Sequence, residues 1–134
     1  MLLFYIMSKQ VKIIIQDEKG KYLLLKRADK EKIKHFGNWE CPGGKLEEGE
    51  SFEDAAIREA KEEVNLDIEI IKTVKKLDKN GETIAIVFLG KPSTTEITIS
   101  EEHSDYGWFS YEELQNLEPI TYKDFFFELI ELAK

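Results

Sequence analysis

The stretch WECPGGKLEEGESFEDAAIREAKEEVNL, from Trp39 to Leu66, constrains the fold more tightly than any other part of the chain. A Pro-Gly-Gly turn and a Gly-centred loop lead directly into a carboxylate-dense helical segment. Ser51 followed by Asp54 resembles a capping box with Asp in place of Glu, so a helix is expected over residues 52–64. Asn65 suits the left-handed conformation that ends it. Ala56, Ile57, Ala60 and Val64 fall on one side of the helical wheel and predict its packing face. Glu59, Glu62 and Glu63 stand at i, i+3 and i+4 on an adjacent side, within about one turn of each other. Like charges at that spacing destabilise a bare helix. A cation would remove the conflict, and a hard divalent ion such as Mg²⁺ prefers oxygen ligands. The pattern reads as a metal site built for phosphate chemistry, against the commoner reading of a Glu-rich helix as a solvated face.

Around this segment the chain predicts a mixed sheet. Residues 11–16 and 22–26 (YLLLK) read as strands joined by a turn at 17–20 into a hairpin. Residues 28–38 read as a loop, and Trp39 to Cys41 as a short extended piece stopped by Pro42. A strand over 67–78, a turn at Lys79-Asn80-Gly81 and a buried strand over 82–89 form a second hairpin, broken at Gly90-Lys91-Pro92. Further strands are expected at 94–99 and 106–109, and a short helix at 111–117. A terminal helix is expected at 121–133, with Phe125, Phe126, Leu129 and Ile130 inward. Strands mixed with two substantial helices far apart in sequence predict an α/β fold, a mixed sheet between helices. No repeat, linker or low-complexity segment divides the chain. Its 134 residues predict one domain over 1–134.

Composition narrows the partners. Hydrophobic residues make up 42% and charged residues 34%, enough for a core and a hydrated surface. The net charge of −8 makes the chain a poor non-specific binder of nucleic acid or anionic membrane. A polyphosphate substrate would need bound cations to offset that repulsion. The lone Cys41 excludes an intrachain disulfide and a Cys-based zinc site, and fits a reduced, cytoplasmic protein with a half-buried thiol. His35 and His103 have no partner at zinc-ligand spacing. The N-terminal MLLFYIM is too short to span a membrane and lacks a basic flank and a cleavage site. Residues 1–6 read as an upstream extension or an added edge segment, with Met7 a plausible initiator.

The segment from Gly44 to Leu66 resembles the Nudix box, Gly-x5-Glu-x7-Arg-Glu-U-x-Glu-Glu-x-Gly-U, where U is a bulky aliphatic residue. Gly44, Glu50, Arg58, Glu59, Glu62, Glu63 and Leu66 match it. Ala60 is smaller than usual, and Asn65 replaces the second Gly, a mild change because Asn tolerates the same left-handed backbone. YLLLKR, GNWECPGG and EEHSDYGWFSYEEL also look like the family's flanking segments. The resemblance implies an α/β/α sandwich that hydrolyses a nucleoside diphosphate linked to another moiety. It implies Mg²⁺, with Mn²⁺ as a substitute, held by Glu59, Glu62, Glu63 and the Gly44 carbonyl, and a Glu50–Arg58 pair that orients the helix. The chemistry agrees: cations neutralise the non-bridging oxygens, an acidified water attacks phosphorus, and a carboxylate takes its proton. That base is a box glutamate or an acid outside the box. Glu101 and Glu102 lie in the segment where relatives place an extra carboxylate, and Glu102 is favoured as an additional ligand or base. Arg27 matches a basic residue that contacts substrate phosphate in relatives, with a strand-end surface charge as the alternative. Phe36, Phe88 and Tyr122 are candidates for a nucleobase pocket, and structural packing competes for each. Trp39 reads as a core or loop anchor, and His103 as a hydrogen-bonded loop residue.

Marks of substrate class lie outside the box. ADP-ribose pyrophosphatases typically carry a Pro about sixteen residues after it, where this chain has Gly81-Glu82-Thr83-Ile84. That absence leans toward a MutT-like (deoxy)nucleoside triphosphate pyrophosphohydrolase giving a monophosphate and pyrophosphate. The Asn that MutT uses before its last helix to read oxidised guanine is missing from Ile120-Thr121-Tyr122-Lys123. ADP-ribose, nucleotide-sugar or dinucleoside polyphosphate hydrolysis is the alternative reaction. A non-catalytic nucleotide-binding domain is disfavoured by the intact box acids, and an RNA-end pyrophosphohydrolase by the charge of −8. Family members are often dimers, so a homodimer with MLLFYIM as an interface strand is a further expectation.

Overall fold

The computed structural model describes residues 8–28 and 37–134. MLLFYIM, His35 and Phe36 lie outside the described residues, and with them most of the expected loop. In chain order the elements are β1 (Gln10–Ile15), β2 (Tyr22–Arg27), β3 (Trp39–Glu40), β4 (Gly43–Lys45), α1 (Phe52–Val64), β5 (Ile68–Lys79), β6 (Glu82–Pro92), β7 (His103–Phe109), α2 (Tyr111–Asn116) and α3 (Lys123–Ala133). Two sheets form: a mixed one in the order β4-β1-β6-β5, with β1 parallel to β6, and an antiparallel one in the order β3-β2-β7.

Alternation along β1 divides the core. Val11, Ile13 and Ile15 pack with Ala55, Ala56, Ala60 and Val64 of α1, together with Leu23, Leu25 and Phe88. Ile14 faces the other way, onto Leu24, Val87 and the Phe126, Leu129 and Ile130 stripe of α3. Each buried Val, Leu, Ile or Phe side chain contributes about 1.5–3 kcal/mol, and together they hold a helix on each face. No helix among the described residues is long and apolar enough to cross a membrane.

Several boundaries differ from expectation. β1 and β2 do not form a hairpin; they lie in different sheets, linked by the single bridge Gln16–Tyr22. Their apolar runs, Ile13 to Ile15 and Tyr22 to Leu25, reflect burial on both faces. The turn between them is closed locally by Asp17, whose Oδ1 accepts the Lys19 and Lys21 N–H groups at 2.9 and 2.8 Å. Residues 94–99 are not a strand. They run beside the end of α1, where Thr98 and Ser100 donate to the Val64 and Glu63 carbonyls at 3.2 and 3.0 Å. Ile97 and Ile99 fill the core beneath, so the alternation that suggested a sheet reflects packing against a helix end. β6 continues through Gly90-Lys91-Pro92, with Pro92 at its last position, where the strand needs no further donor. β7 starts earlier, at His103, because it pairs along all of β2. The β5–β6 turn is as expected, with Asn80 and Gly81 both at positive φ, 53° and 77°.

Candidate functional site

α1 is bounded by local chemistry. The Ser51 hydroxyl accepts the Asp54 N–H at 3.0 Å, and Asn65 turns left-handed at φ 56°. Its buried face is rotated from the expected one. Ala55 replaces Ile57, which is exposed, and Glu63 is buried at 4% exposure. The Ala stripe brings α1 close to β1 and β4. The neighbouring stripe, Ala55-Glu59-Glu63, is thereby carried partly inside.

The Arg58 guanidinium joins this helix to the loop before it. Nε and Nη2 clamp the Glu50 carboxylate at 2.8 and 3.0 Å. Nη1 reaches Glu59 at 2.9 Å and Glu62 at 3.1 Å, and Nη2 also donates to the Lys45 carbonyl at 3.0 Å. Glu50 in turn accepts the Glu47 N–H at 3.0 Å. The Arg58 hydrogen bonds, then that N–H, hold the Glu50 carboxyl down to about 2. Only the planar fork of Arg makes this set of contacts; a Lys point charge does not.

Glu59 and Glu63 face β4. The Gly43 N–H donates to Glu63 Oε1 at 3.2 Å. Burial first, and the adjacent Glu59 carboxylate second, push the Glu63 carboxyl up to about 9. Gly44 is the opposite wall. A Cβ there would stand 2.5 Å from Glu59 Oε1. A dry pair of acids against a wall with no side chain fits a divalent cation: oxygen donors are present, and a positive charge would relieve the repulsion. Glu62 is turned outward to Arg58, with its side chain 57% exposed. Among the described residues, no three acidic or imidazole side chains already converge on one point.

Several outlying candidates gather at one end of the β3-β2-β7 sheet. Ser100 ties the turn carrying Glu102 to the Glu63 carbonyl, and the Glu102 carbonyl accepts the Ala28 N–H at 2.9 Å; the Glu102 residue itself is exposed. Arg27 is no solvated strand-end charge. It is 20% exposed, and its Nη1 lies 3.1 Å from Glu40 Oε2. His103 opens β7 rather than sitting in a loop, and is buried with Nε2 3.0 Å from the same Glu40 oxygen. Burial raises the Glu40 pKa, but the His103 hydrogen bond and the charges of Lys12 and Arg27 outweigh it and bring the group down. Phe88, at 2% exposure, belongs to the core beside α1 and not to a pocket.

Trp39 anchors this region, as expected. Its ring meets Phe109 edge-on at 5.3 Å. Its backbone pairs with Ile120, accepting from Thr121 and donating to Pro119 at 2.9 and 2.8 Å. That pairing sets Tyr122, 63% exposed, on the rim of an apolar groove whose walls include Lys12, Glu40, Cys41, Phe125 and Phe126. Burial pushes the Cys41 thiol up to about 12, so it packs as an inert small group. A larger concavity, about 550 Å³, lies elsewhere, between the Asp17–Lys21 turn and the end of β6, and no box acid lines it. Sequence reasoning passed over Lys12, Glu40 and Gly43. The available hints were a single charge inside the apolar run VKIII and an acid immediately before Cys41-Pro42-Gly43-Gly44.

A family model described as the NUDIX domain matches residues 8–129. The nucleoside triphosphatase NudI of Escherichia coli O139:H28 is 32% identical, over 75% of this chain and 80% of its own. Among solved structures, a MutT protein from Methanosarcina mazei Go1 superposes with a TM-score of 0.75 at 26% identity, covering 95% of each chain. An ADP-ribose pyrophosphatase from Streptococcus suis superposes with a TM-score of 0.72 at 27% identity, covering 94% of this chain and 88% of that one.

Proposed function

The chain belongs to the Nudix hydrolase family, and we propose that within it the protein is a Mg²⁺-dependent pyrophosphohydrolase converting a (deoxy)nucleoside triphosphate to the monophosphate and pyrophosphate. One observation carries the metal dependence: buried Glu63 paired with half-buried Glu59 against the bare Gly44 wall, with Glu63 holding a proton until a cation displaces it. The E. coli relative, itself called a nucleoside triphosphatase, supports the substrate class.

In this reading Glu59, Glu63 and the Gly44 carbonyl would hold Mg²⁺, or Mn²⁺ in its place, and Glu62 would join them on releasing Arg58. When bound, the cation supplies charge neutralisation at the diphosphate oxygens and lowers the pKa of a nearby water. Arg58, fixed on Glu50 and Lys45, keeps α1 and the loop in register as Glu62 moves. Glu102 takes the proton from the attacking water. The water oxygen forms a bond to phosphorus, the bridging P–O bond breaks, and its electron pair leaves with the departing phosphate. Arg27, held by Glu40, steadies the substrate phosphates, and Tyr122 closes over the base at the groove rim. The S. suis neighbour, described as an ADP-ribose pyrophosphatase, favours a second reading in which the leaving group is a ribose phosphate.

The test is turnover of a panel of nucleoside triphosphates, ADP-ribose and dinucleoside polyphosphates, with Mg²⁺ and with EDTA. Pyrophosphate release from a triphosphate that vanishes in EDTA and in Glu62→Gln is the expected result. Phosphate chemistry on none of the panel, or an undiminished Glu62→Gln, sinks the reading.

A further inference from the structure

The concavity of about 550 Å³ between the turn after β1 and the residues that follow β6 lies at the far end of both sheets from the box acids. β1 meets Gly44 of β4 at Val11 and ends at Ile15, two residues before Asp17 in the wall. At about 3.3 Å per residue, Asp17 stands about 20 Å beyond that contact. The other sheet runs the same way. On β7, His103 pairs with Arg27, whereas Trp108, in the wall, pairs with Leu23.

Lys19, Lys21 and Lys91 line this concavity. Among the described residues none of the three ammonium groups makes a salt bridge or a hydrogen bond, although the Lys21 charge is felt at Glu113. Like charges around one hollow repel unless an anion sits among them. Asp17 and Glu18 also line it, so the balance is positive in a chain of net charge −8. Of these two, Asp17 is already engaged, its Oδ1 accepting the Lys19 and Lys21 N–H groups. Hydroxyls come from Ser93, Thr94 and Thr95, just past β6. Thr94 Oγ1 accepts the Glu96 N–H at 3.3 Å, which leaves its own hydrogen to donate. Trp108 adds a further donor. Its indole Nε1 is buried and has no hydrogen-bond partner among the described residues, where such a group ordinarily finds one.

The geometry points to a second binding site here, for a phosphate-bearing anion, separate from the metal centre. Donors from three separate segments lack an acceptor, and phosphate oxygens supply several at once together with the negative charge. The volume falls within the range of small-molecule sites, about 300–1,000 Å³, and exceeds what one phosphate group fills. An oligophosphate chain and the phosphate of a nucleotide share the chemistry required. The assignment stands apart from the hydrolase reading above, because no residue of the acid centre takes part.

The experiment follows the indole N–H resonances by NMR, in EDTA, while tripolyphosphate, AMP or sodium chloride is added at matched ionic strength. The chain has two tryptophans, and Trp108→Phe assigns their signals. A saturable shift of the Trp108 signal with a Kd of about 1 mM or tighter is expected. A response to tripolyphosphate alone marks a free oligophosphate and a response to AMP alone a nucleotide; either supports the site. Lys19→Ala combined with Lys91→Ala should weaken binding at least about tenfold through the loss of two charged contacts. Both lysines are exposed, so the core is untouched. No saturable shift with either phosphate compound overturns the assignment, as does an equal shift with chloride. So does a Trp108 response that shares its midpoint with Trp39 and survives the lysine substitutions, since that marks occupancy of the other site.

Discussion

Replacing Gly44 by Ala tests the acid centre most directly. The added Cβ would lie 2.5 to 2.8 Å from all three atoms of the Glu59 carboxylate, whereas ordinary contact begins near 3.4 Å. Glu59 must therefore retreat by 0.9 Å or more, the difference between 3.4 and 2.5 Å. Its hydrogen bond to Arg58 at 2.9 Å limits where it can go. A displacement of about 1 Å at a reacting centre costs about a hundredfold in rate, or about 2.7 kcal/mol of barrier. Stability should change little. The clash is with the end of a side chain, Gly44 has no left-handed φ, and Ala lowers the entropy of the unfolded chain by about 0.4–1 kcal/mol. The assay is kcat at saturating Mg²⁺ and nucleotide, with a thermal melt alongside. The expected outcome is a kcat lowered about a hundredfold with a Tm within about 4 °C of wild type. Gly43→Ala is the contrast: its Cβ would run into the Val11 carbonyl, which is backbone, so that variant should lose stability first. A Gly44→Ala enzyme with kcat within about threefold of wild type refutes the argument.

Other outcomes follow from the same geometry. The folded-state pKa of Glu63, about 9, lies above its ordinary value of 4.5. The folded protein therefore holds the extra proton between those values, and metal-free stability should fall as pH rises from about 5 to 9. Thermal melts in EDTA should show that slope in wild type and not in Glu63→Gln, and Mg²⁺ should bind more tightly as pH rises through the same window. Glu50 has the opposite sign: its pKa is depressed to about 2, so its contribution is present above 4.5 and lost as pH falls through 2. Arg58→Met should lower the Tm near neutrality and flatten its decline between pH 5 and 2, and an unchanged pH profile would contradict the clamp. Asn65, at φ 56°, should tolerate Gly at little cost, while Ala destabilises by about 1 kcal/mol in a denaturant titration.

Local signals were legible in the chain because their causes are local. Ser51, Asn65 and the carboxylate spacing bound α1, and Asn80-Gly81 closes the β5–β6 turn. Each depends on a few covalent neighbours. Matching six polar or glycine positions of the Nudix pattern needed nothing more. The rotation of α1 was not legible: Ala55 and Ile57 flank Ala56 on its two sides, each about 100° away on the wheel, and both are apolar. Packing against β1 and β4 exposed Ile57 and buried Glu63.

The partner of each strand was likewise invisible. YLLLK announces burial without saying which neighbour provides it, and an apparent hairpin divided between two sheets. A carboxylate-bearing helix behind a glycine loop, with the helix's start and end, is written in the chain. That two of those carboxylates share a wall with Gly44 comes from packing across the fold. That packing alone brought Arg27, Glu40 and His103 together from three strands and aimed Lys12 into the groove beside them. Dielectric environment and pairing across strands arise from residues far apart in the chain, and those two quantities turn a row of glutamates into a site.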